Sequence, residues 1–109
     1  MNRLRVPEMQ YGLSPENVDK LKIVFAEYPE VDEVIIYGSR AKGNFKNGSD
    51  IDFTIVGEEM NLQILHRIEA DIDDLMLPYK IDMSLLSHID NTKLLEHIKR
   101  VGIVFWSAV

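Results

Sequence analysis

The sequence predicts a small α/β (α+β) domain in which a mixed β-sheet is flanked by helices, and three observations lead there. Apolar residues recur at helical spacing in three separate stretches. Short segments rich in β-branched residues lie between them, two of which alternate strictly between apolar and polar. The chain has 109 residues, 46% hydrophobic and 28% charged, close to globular averages and enough for one core.

Taken in order, residues 1–13 show no period and contain Pro7 and Gly12, which predicts an N-terminal arm and leaves 14–109 as a single domain. Ser14 followed by Pro15 reads as an N-cap with proline in the first helical turn. Val18, Leu21, Phe25 and Tyr28, with Val24 beside them, form the apolar stripe of that helix, and Pro29 stops it. Val34-Ile35-Ile36-Tyr37 is a continuous apolar run ended by Gly38, as expected of a strand covered on both faces. Residues 41–50, with Gly43, Asn44, Asn47, Gly48 and Ser49, read as a turn-rich loop.

Asp50 to Ile55 and Lys80 to Leu85 are the two alternating segments, predicted as half-buried strands. Between them Asn61 caps a helix whose stripe is Leu65, Ile68, Ile72 and Leu75, with Pro78 at its end. A last helix carries Leu94, Ile98 and Val101, with Lys99 and Arg100 in its final turn and Gly102 beyond. Ile103 to Trp106 then closes the chain as a short edge strand.

Composition excludes several classes of function. Twelve Lys and Arg against 18 Asp and Glu give a formal charge of -6, which opposes non-specific binding to nucleic acid or anionic lipid. A polyanionic ligand therefore needs metal ions to be held. There is no cysteine, so disulfides, zinc-thiolate sites and thiol nucleophiles are ruled out. The first residues lack an apolar signal core, and no apolar run approaches the ~18 residues of a membrane span, which predicts a cytoplasmic protein.

Alternation places Asp50 and Asp52 on one face of their strand while Ile51, Phe53 and Ile55 point to the other. The same parity sets Asp82 and Ser84 opposite Ile81, Met83 and Leu85. Should those two strands pair in register, three carboxylates converge. Such a trio repels itself unless protons or cations neutralise it, and its hard oxygen donors suit Mg²⁺ or Mn²⁺. A calcium loop is excluded because Ile55 stands where that loop needs glycine.

Gly38-Ser39 follows a predicted strand directly, where backbone N–H groups and the Ser39 hydroxyl are placed for phosphate oxygens. Arg40 and Lys42 add positive charge; Arg40 is equally readable as a structural cation and Lys42 more readily as a solvated one. The glycine spacing matches neither a Walker A loop nor a dinucleotide fingerprint. His66, His88 and His97 show no ligand spacing and receive no chemistry. Asp71, Asp73 and Asp74 read as a solvated acidic face.

The string Gly38-Ser39-Arg40-Ala41-Lys42-Gly43 followed by Gly48-Ser49-Asp50-Ile51-Asp52 resembles the minimal nucleotidyltransferases of the polymerase-β superfamily. The family pattern is glycine-serine, ten residues, then D-x-D, with a third acid in a later strand, here Asp82. The resemblance implies a polymerase-β-like nucleotidyltransferase fold. It also implies a two-metal transfer of a nucleoside monophosphate, with Asp50, Asp52 and Asp82 as catalytic metal ligands, Mg²⁺ or Mn²⁺ as cofactor and ATP as co-substrate. Gly38 and Ser39, with Arg40, Lys42 and Ser49, become the nucleotide-binding candidates.

Short members resembling this one are encoded with a HEPN-domain protein, often a ribonuclease toxin. The resemblance therefore implies a HEPN partner, an antitoxin role and transfer of AMP to a hydroxyl of the toxin. Two alternatives stay open: a non-catalytic antitoxin that covers its partner, and a small-molecule nucleotidyltransferase whose pocket a homo-oligomer completes.

Overall fold

A computed structural model describes residues 9–109. Helix α1 spans Pro15–Ala26, strand β1 Glu33–Tyr37, the short helix α2 Gly38–Lys42, β2 Ile51–Val56 and α3 Leu62–Asp73. Strand β3 spans Ile81–Leu85, followed by a 3₁₀ turn at Leu86–His88, helix α4 at Thr92–Val101 and strand β4 at Ile103–Ser107. Ser14 Oγ accepts from the Asn17 N–H at 3.2 Å and Asn61 Oδ1 from the Ile64 N–H at 2.9 Å, so both expected caps form. Asn91 does the same for α4, accepting from Leu94 N–H at 3.1 Å.

Two boundaries differ from the sequence reading, each for a local reason. The segment after Gly38 runs on as helix to Lys42, because Gly43 takes a left-handed φ of 87° and its N–H closes on the Ser39 carbonyl at 2.9 Å. Helix α3 stops at Asp73 rather than near Pro78. A turn follows it in which Met76 sits at φ 56°.

The sheet order is β3-β2-β1-β4. Strand β1 runs antiparallel to both β2 and β4, and β2 runs parallel to β3, with α3 as the crossover that parallel neighbours require. One sheet face carries Val34, Ile36, Ile51, Phe53 and Ile55, which join Val18, Leu21 and Phe25 of α1 and Leu65, Ile68 and Ile72 of α3 in one core. Phe53 is fully buried at its centre, 5.4 Å from the Phe25 ring and 4.8 Å from the Phe105 ring between centroids. Phe105 is thus the core aromatic of the C-terminal strand, while Trp106 is half-buried beside it.

Of the expected arm, residues 1–8 lie outside the described residues. The rest of it folds onto the domain: Gln10 and Leu13 pair across a two-residue turn, Leu13 is fully buried, and the Tyr11 ring lies 5.8 Å from Phe105. Among the described residues no helix is long and apolar enough to cross a membrane.

Tyr28, just past α1, donates its hydroxyl to Asp71 Oδ2 on α3 and ties the two helices together. That hydrogen bond, followed by burial and the charge of Asp71, pushes the phenol up to about 12 from its ordinary 10.0. Because the folded pKa is raised, this contribution to stability is complete below pH 10 and is lost as pH rises through about 12. Thermal melts of Tyr28→Phe are expected to lie below wild type at neutral pH, with the gap closing between those two values.

Candidate active site

The register of the sheet brings two of the three predicted acids together. Parallel pairing sets Asp52 directly opposite Asp82 and Thr54 opposite Ser84. Antiparallel pairing sets Tyr37 opposite Asp52. Tyr37, Asp52 and Asp82 therefore form one row across three strands, on the sheet face turned away from Phe53. Asp50 stands just before β2, at the end of the loop that starts from Gly43. Asp50 and Asp82 are exposed and Asp52 is half-buried.

Buried polar contacts behind the acids hold this register. Thr54 is fully buried, and Ser84 Oγ donates to Thr54 Oγ1 at 3.0 Å, a cross-strand pair that a one-residue slip would separate. Burial is the first cause that raises the Asp52 pKa above its ordinary 3.8, and the charges of Asp82 and then Asp50 raise it further. His97 opposes them. Burial likewise raises the Tyr37 phenol; the nearby Ser84 works against the shift, and the charges of Asp52 and Asp82 add to it.

Gly38 joins β1 to α2 at φ 75°, and a Cβ there would run into Asp52 Oδ2. The glycine is needed twice, for its left-handed backbone and for the close approach of the turn to the acid. Its N–H donates to His97 Nε2 at 3.2 Å. His97 also sets its ring edge-on to Tyr37, with centroids 6.1 Å apart. Nothing in the sequence assigns His97 chemistry. Its only signal is position, three residues after Leu94 in the stripe of α4, which does not separate a site residue from a boundary one. His66 and His88 are exposed and stand apart from these contacts.

The remaining candidates divide. Ser39 is half-exposed in the first turn of α2 and Lys42 is exposed at its end. Ser49 Oγ accepts from the Lys46 N–H at 2.8 Å, so its hydroxyl oxygen closes the loop. Arg40, a nucleotide-binding candidate equally readable as a structural cation, is 2% exposed and donates to three backbone carbonyls, those of Ser49, Tyr11 and Asn47. Its guanidinium thus lies between the loop that carries Asn47 and Ser49 and the backbone of Tyr11.

The donor set fits a hard divalent cation. Among the described residues no three acids or imidazoles are gathered into a ready-made metal cage. Mg²⁺ is commonly held by one or two carboxylates together with substrate phosphates and waters, and an open row of acids beside a glycine turn suits that mode. Two clefts of about 620 and 530 Å³ lie elsewhere, one between the end of α3 and β3, the other beside α4 and β4. Neither is lined by the acids or the turn.

A family model described as polymerase beta, nucleotidyltransferase matches residues 19–108. Among solved structures, a toxin–antitoxin complex with AMP-PNP contains a chain that superposes with a TM-score of 0.68 at 17% identity, covering 84% of this chain and 74% of that one. The tri-AMPylated Shewanella oneidensis HEPN toxin in complex with MNT antitoxin gives 0.63 at 15% identity, covering 85% and 71%. The MntA–HepT toxin–antitoxin gives 0.63 at 14%, covering 87% and 74%. At these identities the likeness is one of fold. No curated protein sequence matches the chain.

Proposed function

The chain belongs to the polymerase-β nucleotidyltransferase family, and from that premise we propose that it transfers AMP, or another nucleoside monophosphate, from a nucleoside triphosphate to a hydroxyl on a HEPN toxin, acting as its antitoxin in the cytoplasm. The observation that carries the reading is the register that sets Asp52 opposite Asp82 beside the Gly38 turn. A fold kept only as a scaffold has no need of that alignment. The partner is suggested by several solved structures of like fold that are toxin–antitoxin complexes, one of them with an AMPylated HEPN toxin.

Asp50, Asp52 and Asp82 would hold divalent metal, which when bound supplies Lewis-acid stabilisation of charge on the phosphoryl oxygens. The Ser39 hydroxyl binds the outer phosphates, and a phosphate oxygen replaces His97 as acceptor of the Gly38 N–H. The acceptor hydroxyl oxygen forms a bond to the α-phosphorus as the bond from that phosphorus to the β-phosphate oxygen breaks. Pyrophosphate leaves, and the hydroxyl proton passes to Asp82. Positioning and fixed charge supply most of the acceleration in phosphoryl-group chemistry, so the chain has little covalent work to do itself.

Intact masses of the chain and its HEPN partner, recorded after incubation with ATP and Mg²⁺, test this. An AMP-sized addition to the partner that disappears with Asp50→Ala/Asp52→Ala is expected. A tight complex with no addition supports the non-catalytic antitoxin instead, and transfer to a small acceptor without the partner supports the homodimeric small-molecule enzyme.

A further inference from the structure

We propose that Arg40 is a positioning residue that holds the Asp50 end of the metal face, and that the Tyr11–Gly12 turn completes its socket. The role rests on the reading of Asp50, Asp52 and Asp82 as the metal-holding trio.

Arg40 is a buried cation with an unusual set of partners. Among the described residues the one ion pair is Lys20 with Glu16, so no described carboxylate neutralises Arg40. A buried charge has to be compensated in some other way. Nε donates to the Ser49 carbonyl at 3.0 Å, Nη1 to that of Tyr11 at 2.8 Å and Nη2 to that of Asn47 at 3.4 Å. The guanidinium carbon lies 5.1 Å from the Phe45 ring centroid and 4.8 Å from that of Tyr79, which places both aromatic rings against the cation.

The partners fall on the approaches to the acids. Asn47 and Ser49 lead straight into Asp50, and Tyr79 stands three residues before Asp82. One planar group therefore gathers the loop that delivers the first acid and the segment that delivers the third. Lysine cannot copy this, because a single ammonium lacks the planar fork that spans the three carbonyls.

The socket is closed from outside the family-matched segment, which begins at residue 19. Tyr11 at φ 57° and Gly12 at φ 73° form a two-residue turn whose backbone bonds, Gln10 N to Leu13 O at 3.1 Å and Leu13 N to Gln10 O at 2.7 Å, pin both ends. A bulky residue at positive φ is an outlier, and its result here is a Tyr11 carbonyl turned onto Arg40. A Cβ at Gly12 would collide with the Phe45 ring and come within 2.8 Å of Arg40 Nη1. Turn, arginine and loop are thus packed as one unit.

The experiment compares the full-length chain with Arg40→Lys and Gly12→Ala. It measures Mn²⁺ binding by electron paramagnetic resonance, hydrogen exchange of residues 44–50, and the kcat and KM of transfer. Both variants are expected to melt cooperatively, to bind Mn²⁺ about tenfold more weakly and to exchange faster in the loop; loss of an outer partner of a metal ligand has effects of that size. Transfer kcat is expected to fall by up to about 10²-fold with nucleotide KM little changed, as for a misplaced rather than missing contact.

Unchanged Mn²⁺ affinity in folded variants overturns the proposal, and a raised nucleotide KM at unchanged Mn²⁺ affinity returns Arg40 to direct nucleotide contact. Should Arg40→Lys not fold, Gly12→Ala decides by the same readings, since it leaves the arginine in place. If wild type binds Mn²⁺ yet transfers nothing, the proposed reaction fails while the Mn²⁺ comparison still judges Arg40.

Discussion

Replacing Asp52 with asparagine is expected to lower transfer by about 10³-fold and to raise thermal stability in the same protein. The loss follows from removing the central acid of the row: metal-ion stabilisation of a phosphoryl transition state is worth several kcal/mol, and each ~1.4 kcal/mol is tenfold in rate. The gain follows from the sign of the Asp52 shift. Its folded pKa lies above the ordinary 3.8, first because of burial and then because of Asp82 and Asp50, so ionisation works against the fold. The associated stability is complete below pH 3.8 and is lost as pH rises through the folded pKa. A neutral amide of the same shape keeps it at neutral pH. Scanning calorimetry at pH 7 without divalent cations is expected to show the variant melting above wild type. Adding Mg²⁺ is expected to raise the wild-type melt and to leave the variant nearly unmoved.

Gly38→Ala is expected to damage fold and function together. A residue with a Cβ in the left-handed region loses about 1–2 kcal/mol, which for a domain of this size is a melting shift of roughly 4–16 °C. The new Cβ also runs into Asp52 Oδ2, so the carboxylate has to move. A displacement near 1 Å at a reacting centre lowers rates by about 10²-fold. The two causes separate in a double-mutant cycle. Combined with Asp52→Ala, which removes the colliding group, Gly38→Ala is expected to lose less stability than it does alone. Strictly additive losses would mean that backbone strain acts without the clash.

Much of this was legible in the sequence because it depends on local rules. The three long helices announce themselves through caps and stripes at Ser14, Asn61 and the run from Leu94 to Val101. The alternation of Asp50 to Ile55 and Lys80 to Leu85 fixes which side chains share a face, and the Gly38-Ser39 to Asp50 spacing points to the family that residues 19–108 match. What alternation cannot supply is register. Only the pairing of β2 with β3 sets Asp52 opposite Asp82, and that depends on a crossover through α3 and a buried Thr54–Ser84 contact.

The tasks of Arg40 and His97 were hidden for a related reason. Arg40 sits in a motif beside the Gly38-Ser39 turn, where a cation reads equally as a phosphate ligand and as a structural group, and the carbonyls it meets carry no signature in their chain positions. His97 reaches Gly38 across 59 residues of chain. The Tyr11–Gly12 turn looks like loose arm in the sequence because neither residue has a period, yet Leu13 next to it is in the core.

Whether this face moves a nucleoside monophosphate is read from the fate of label from ATP carrying ³²P at either the α or the γ position, with the HEPN partner and Mg²⁺ present. Label is expected on the acceptor from the α position alone, with pyrophosphate as the released product, and neither is expected with Asp50→Ala/Asp52→Ala. Label from the γ position, or α label that persists in that double variant, would overturn nucleoside monophosphate transfer by these acids.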